Sequence, residues 1–170
     1  VSGSAVGYYG MREGDRLLDE RSPAGDDFLA GLCVAWEAAA REAEAPRTRV
    51  AIARVGIVLG RGGGALSKMV PAFRAFVGGP LGSGHQYMSW IHLRDAARAL
   101  LFAVDRESLT GPFNVTAPAP ATMNELSAEL ARALHRPALF RLALGRRVPD
   151  SRRPAAHRPV HPARPCPPRL

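Results

Sequence analysis

Apolar and polar positions alternate between short continuous apolar runs and amphipathic stretches along this chain. The opening residues, VSGSAVGYYG, read as the end of a buried strand running into a turn rich in Ser, Gly and Tyr. Residues 25–46 carry Phe28, Leu32, Trp36 and Ala39 at helical spacing, with Glu37 and Arg41 as an exposed i,i+4 pair. Asp26 or Asp27 can cap this helix, where acids suit the positive end of the helix dipole, and Pro46 stops it. The β-branched run TRVAIARVGIVLG, residues 48–60, predicts one strand of a parallel sheet covered on both faces.

A Gly-rich turn, GRGGG, leads to an apolar helix over about residues 65–76, with Met69, Phe73 and Phe76 in its core. Residues 77–87 read as an irregular loop and 88–92, MSWIH, as a short strand. The next helix, residues 93–106, places Leu93, Ala97, Leu100 and Leu101 on one face, and residues 111–117 form another strand. A last helix over 121–136 begins with Thr122 and Glu125 in capping-box spacing, followed by Met123, Leu126, Leu130 and Leu134. Strands and helices thus alternate, which predicts an α/β fold with parallel strands.

From residue 146 the periodicity vanishes. RRVPDSRRPAAHRPVHPARPCPPRL has no apolar stripe to offset chain entropy and reads as a disordered tail. One hypothesis is a shifted reading frame of a GC-rich gene, consistent with the use of Arg over Lys. Translation of the other frames would sink it if neither resumed an amphipathic pattern.

Charge follows the same division. The tail holds seven arginines against one acid, Asp150, so six of the net +8 charges lie there and the body is near neutral. A nucleic-acid partner would rest on that tail alone and is not expected of the body. No run reaches the roughly 18 apolar residues of a membrane helix. Cys33 and Cys166 lie far apart and suggest no disulfide framework, which favours a cytoplasmic setting. His157, His161 and Cys166 have superficial ligand spacing but a Pro-rich setting without groups to orient them, so no metal is expected.

Gly60, Gly62 and Ala65 make a formal G-x-G-x-x-A between a strand and a helix. A dinucleotide fingerprint also needs an acid about 20 residues on, and none occurs between Glu44 and Asp95. The turn fits better as a loop whose amides at Gly62, Gly63 and Gly64 meet an anionic group.

Taken together, VSGSAVGYYG, DERSP, WEAAA, RVGIVLGRGGGALSKMVPAFRAFVGGPLGSGHQYMSWIHLRDAARAL and GPFNVTAPAPATMNELSAELARAL resemble the epimerase family. These are the atypical extended short-chain dehydrogenase/reductases, often described as nucleoside-diphosphate-sugar epimerases. The resemblance covers residues 1 to about 144. It implies the C-terminal half of a Rossmann-like NAD(P)-binding fold with substrate-side elements, followed by the tail. Residues 1–117 would be the C-terminal part of the Rossmann domain, 118–145 a helical segment and 146–170 the tail. The Gly-rich first turn of such a domain is not in this sequence, so this chain is expected to be inactive and to bind dinucleotide weakly.

In the wider superfamily a Ser or Thr at the end of the fifth strand acts with a Tyr-x-x-x-Lys helix. Ser4 matches the Ser position. Leu29 and Cys33 stand where Tyr and Lys would fall, and the chain's one lysine, Lys68, has no Tyr four residues before it. The resemblance therefore implies Ser4 with Tyr8 or Tyr9 as catalytic residues, and Ser2, Val55, Gly56 and Ile57 at the cofactor. Gly62, Gly63, Gly64, Lys68, Gln86, Trp90 and His92 would face a small, nucleotide-sugar-like substrate. NADP is favoured over NAD. The competing roles are structural: a packed aromatic for Tyr8 or Tyr9, a hydrogen-bonded His92, a solvated Lys68, a local pair for Asp95. A non-catalytic NAD(P)-binding module, or a basic tail serving as an arm for nucleic acid or an acidic partner, are the competing functions.

Overall fold

The computed structural model describes residues 1–10 and 17–138. The tail, with His157, His161 and Cys166, lies outside the described residues. Three strands form the central sheet in the order β1 (Ser2–Ala5), β2 (Ala51–Val55), β6 (Gly111–Val115), all parallel. A 3-10 turn (Val6–Tyr9) follows β1 directly. The helices are α1 (Phe28–Arg41), α2 (Gly64–Arg74), α3 (Leu93–Asp105) and α4 (Met123–Leu134). Two smaller pairs complete the frame: β3 (Ile57–Leu59) runs parallel to β5 (Trp90–His92), and β4 (Tyr87–Met88) runs antiparallel to β7 (Ala121–Thr122).

The predicted strand over 48–60 is two strands in different sheets, and so is the one over 88–92. Gly56 is the hinge: its N–H donates to Val115 O, while the Ile57 N–H donates to Ser89 O. A Cβ on Gly56 would lie 2.5 Å from Ser89 O and 3.1 Å from Thr116 Cγ2, so the crossing of these strands requires glycine. β7 and its antiparallel partner were not expected from an all-parallel reading.

One face of the central sheet is apolar. Ala51, Ala53, Phe113 and Val115 pack with Ala96 and Ala103 of α3, and Arg49 donates to the carbonyls of Ala103, Val104 and Leu109 around the end of that helix. The expected α3 face is corrected here: Leu93, Ala97 and Leu101 point outward, whereas Ala96, Ala99, Leu100 and Ala103 meet the sheet. The small alanines let helix and sheet approach closely.

α1 needs the larger correction. Asp27 caps it through a bond from Ala30 N, but Phe28 (83% exposed), Leu32 and Trp36 face outward. The buried face is Ala30, Cys33 and Glu37. Glu37 does pair with Arg41 at 3.5 Å, yet its carboxylate is buried rather than at the surface. A carboxylate can take that place only because a buried guanidinium awaits it, a partner that helical spacing cannot reveal.

At the other end of the chain, Thr122 and Glu125 form the predicted capping box. Met123, Ser127 and Ala131 are the buried line of α4, with Leu126, Leu130 and Leu134 half-buried beside it.

Candidate functional site

The second face of the central sheet is polar and closed. Ser4 lies beside Arg54 in the β1–β2 register, and Arg54 beside Asn114 in the β2–β6 register, so three polar side chains stand in a row across it. All three are buried. Arg54, 1% exposed, bridges Glu37 through two bonds, Nε to Oε1 at 2.8 Å and Nη2 to Oε2 at 2.9 Å. Ser4 Oγ donates to the same Oε1 at 2.9 Å. Arg54 Nη1 donates to the Tyr9 hydroxyl at 3.1 Å and to Glu20 O at 3.3 Å, and the Tyr9 hydroxyl donates to Asn114 Oδ1 at 2.7 Å. The Glu20 carboxylate accepts from Asn114 N at 2.8 Å, which ties the loop after residue 17 to the sheet.

Electrostatics follow from that enclosure. Burial alone would push the Glu37 carboxyl up, but the bonds from Arg54 and Ser4 and the Arg54 charge outweigh it and hold it below the usual carboxylate range. Burial pushes the Tyr9 phenol up, with the Arg54 bond and charge opposing it. The Cys33 thiol is likewise pushed up by burial. Arg54 stays cationic because its bonds to Glu37 and Tyr9 outweigh the burial that opposes its charge.

Tyr8 behaves differently from Tyr9. The Arg54 guanidinium carbon sits 3.4 Å from the centre of the Tyr8 ring, and the Tyr9 ring meets it edge-on at 5.3 Å and 84°. The ring is thus half-buried and held, while no hydrogen bond to a described residue engages its hydroxyl. Gly7, one residue earlier, closes over Leu29 and Cys33, whose side-chain atoms lie 3.7 Å from where its Cβ would be. The 3-10 turn therefore packs on the helix positions, Leu29 and Cys33, that would carry a Tyr and Lys pair in the wider superfamily.

The other expected residues have structural employment to different degrees. Ser2 Oγ bonds the adjacent Gly3 O. Val55 and Gly56 sit at the carboxyl end of the central sheet beside Ile57, but the amides of Gly56 and Ile57 are spent on Val115 and Ser89. Gln86 donates to Leu81 O at 2.7 Å and accepts from Ser83, closing its own loop. Trp90 Nε1 donates to Ala119 O at 3.0 Å. His92 caps α3, its Nδ1 accepting from Arg94 N, and Asp95 pairs locally with Arg98. Gly62, Gly63 and Gly64 surround the start of α2, the first and last at positive φ, and Lys68 is exposed one turn along. His92 pairs with Leu59 in the β3–β5 register, so the end of β5 and the Gly-rich turn occupy the same end of that small sheet.

Glu37, Arg54, Glu20 and Asn114 were missed as members of one cluster. Two signals were available. Arg54 and Glu37 each interrupt an otherwise apolar stretch, and they carry opposite charges.

No family model matches the chain. An epimerase family protein of Mycobacterium tuberculosis is 50% identical over 137 residues, covering 81% of this chain and 45% of that protein. Among solved structures, human epimerase family protein SDR39U1 (isoform 2) with NADPH superposes with a TM-score of 0.78 at 42% identity. That match covers 83% of this chain and 48% of the human one. A nucleoside-diphosphate sugar epimerase from Corynebacterium glutamicum superposes at 0.73 with 33% identity, over 94% of this chain and 31% of the other.

Proposed function

We propose that this chain, which belongs to the epimerase family and spans about half the length of the curated relatives it matches, carries the reacting end of an NAD(P)-dependent oxidoreductase- or epimerase-like protein. Tyr8 is the proton-exchanging group in this reading. The observation that carries it is the contrast between the two adjacent tyrosines. The Tyr9 hydroxyl is bonded to Arg54 and Asn114, whereas the Tyr8 ring is clamped and its hydroxyl left for a substrate oxygen. General acid–base transfer from a positioned phenol needs that combination of a fixed ring and an available proton.

Ser4 does not act on substrate in this reading. Its hydroxyl is buried on Glu37 and helps hold the carboxylate. Tyr9 is likewise a support. The substrate, a small molecule of nucleotide-sugar type, lies beyond the carboxyl ends of β1 and β2, with the Gly62–Gly64 turn and Lys68 available to an anionic portion.

The described residues do not fit a dinucleotide on their own. The Gly56 and Ile57 amides are already paired, the side-chain space at Gly56 is filled by Ser89 and Thr116, and no acid follows the Gly60–Ala65 turn at the required distance. Cofactor binding, with NADP favoured over NAD, is therefore assigned to a whole protein of about the relatives' length. Such a protein resides in the cytoplasm in this reading.

Calorimetry of the 170-residue chain with NADPH should show no micromolar binding; such binding would overturn the assignment. In a full-length protein containing this segment, NADPH oxidation with 9,10-phenanthrenequinone as carbonyl probe should fall at least about 100-fold in Tyr8→Phe. Unchanged turnover removes Tyr8 from the chemistry. Cofactor binding with no oxidation of any carbonyl probe points instead to a non-catalytic NAD(P)-binding module, which the missing Tyr-x-x-x-Lys would allow.

A further inference from the structure

We propose that Arg54 and Glu37 are positioning residues for the Tyr8 phenol. The proposal rests on the reading of Tyr8 as the group that faces substrate. It adds a device for holding that group, assembled from three elements: a phenol from the 3-10 turn after β1, a cation from β2 and a carboxylate from α1.

The geometry argues for the device in two steps. First, the guanidinium cannot turn. Its Nε and Nη2 are on the two oxygens of Glu37, and Nη1 is on the Tyr9 hydroxyl and Glu20 O. A planar donor fork bound at both ends presents one fixed face. Second, that face carries the Tyr8 ring at 3.4 Å, while Tyr9, itself fixed by Asn114, meets the ring from its edge. Two immobile groups hold the ring, and neither engages its hydroxyl. Ser4 and Arg41 add further bonds to Glu37, at 2.9 Å and 3.5 Å, so the anchor is itself anchored.

A cation in the middle of a parallel sheet is costly to desolvate, and an ion pair is seldom the most stabilising way to fill a core. Holding a fixed cation over an aromatic face is a task that apolar residues of the same volume could not perform. The α1 positions that would carry Tyr and Lys in the wider superfamily are Leu29 and Cys33, and Gly7 packs over both. Glu37, one turn further along α1, is the residue through which that helix reaches the phenol here.

The test uses the whole chain with tyrosine labelled along backbone and side chain, so that couplings across Cα–Cβ report χ1. Its three tyrosines, Tyr8, Tyr9 and Tyr87, are assigned by Phe substitution. The wild-type chain should show one χ1 rotamer for Tyr8, and Arg54 guanidinium protons shifted upfield by the ring, a shift lost in Tyr8→Leu. In Arg54→Lys and Glu37→Gln, folded by circular dichroism, the Tyr8 couplings should average over rotamers while the Tyr87 signals stay in place. N-acetylimidazole should acylate the Tyr8 hydroxyl of the wild-type chain and spare Tyr9. Unmoved Tyr8 rotamers in both variants, with normal acylation, overturn the positioning role alone. Failure of the reagent to reach Tyr8 overturns the substrate-facing reading and the positioning role with it. Should the variants unfold, the wild-type and Tyr8→Leu pair decides: Arg54 protons without a ring shift refute the contact.

Discussion

Arg54 is the residue on which the interior of this molecule turns. Removing one partner of a buried, hydrogen-bonded ion pair leaves the other charge stranded, so Arg54→Met should cost about 3–5 kcal/mol in urea unfolding. Tyr9→Phe removes a hydroxyl bonded to both Arg54 and Asn114, and should cost about 1–3 kcal/mol through the groups left unpaired. The Glu37 carboxyl is held below its ordinary value of 4.5, so the folded chain binds fewer protons there than the unfolded chain. Its contribution is complete above that ordinary value and is lost as pH falls through the lower folded value. Urea midpoints measured downward from pH 5 should therefore drop, and Glu37→Gln should flatten that part of the curve. An unchanged slope in the variant would remove Glu37 as its source. Little of this residue-scale detail was legible: Glu37 read as a surface partner of Arg41, because spacing reports neighbours along a helix and not what the helix packs against.

Among the elements, the glycines of the loops decide more than the strands do. Gly84 has φ 77° and its missing side chain leaves room for the Asn124 side-chain amide, while the Asn124 backbone N–H donates to Gly84 O. This closes the loop of 77–87 onto the start of α4. Gly84→Ala meets both the backbone conformation and that amide, and Gly56→Ala meets the crossing of β2 and β3. Each should cost about 1–3 kcal/mol by overpacking, with Gly56→Ala also disturbing the β3–β5 pair in amide hydrogen exchange. Thr122→Ala, by contrast, should cost about 1 kcal/mol, the ordinary loss of a helix cap. Existence and order of the helices were legible from apolar spacing and caps. The breaks in the strands at Gly56 and Ser89 were not, since continuous apolar runs look alike whether one sheet or two receives them.

Across the whole molecule, the described residues leave apolar surface open. Phe28, Leu29, Leu32 and Trp36 are exposed on α1, and β1 pairs with β2 alone among the described strands. An apolar patch of this kind and an open edge favour association. The sedimentation coefficient of the isolated chain should rise with concentration. Replacing both Phe28 and Leu32 by Glu should reduce that rise while moving the unfolding free energy by no more than about 0.5 kcal/mol per site.

The sequence by itself determined the α/β class, the helices and the caps of α1 and α4, the near-neutral body and the resemblance to the epimerase family. Each of these depends on local spacing or on motifs that survive in a linear string. Only the tertiary structure decided which face of α1 is inside, that the Ser4 and Tyr9 hydroxyls are buried on Glu37, Arg54 and Asn114, and that VSGSAVGYYG presents Tyr8 on the face of Arg54. Those outcomes depend on strands and a helix separated by 17 to 105 positions in the chain. A buried charge declares its partner only when the fold brings the two together.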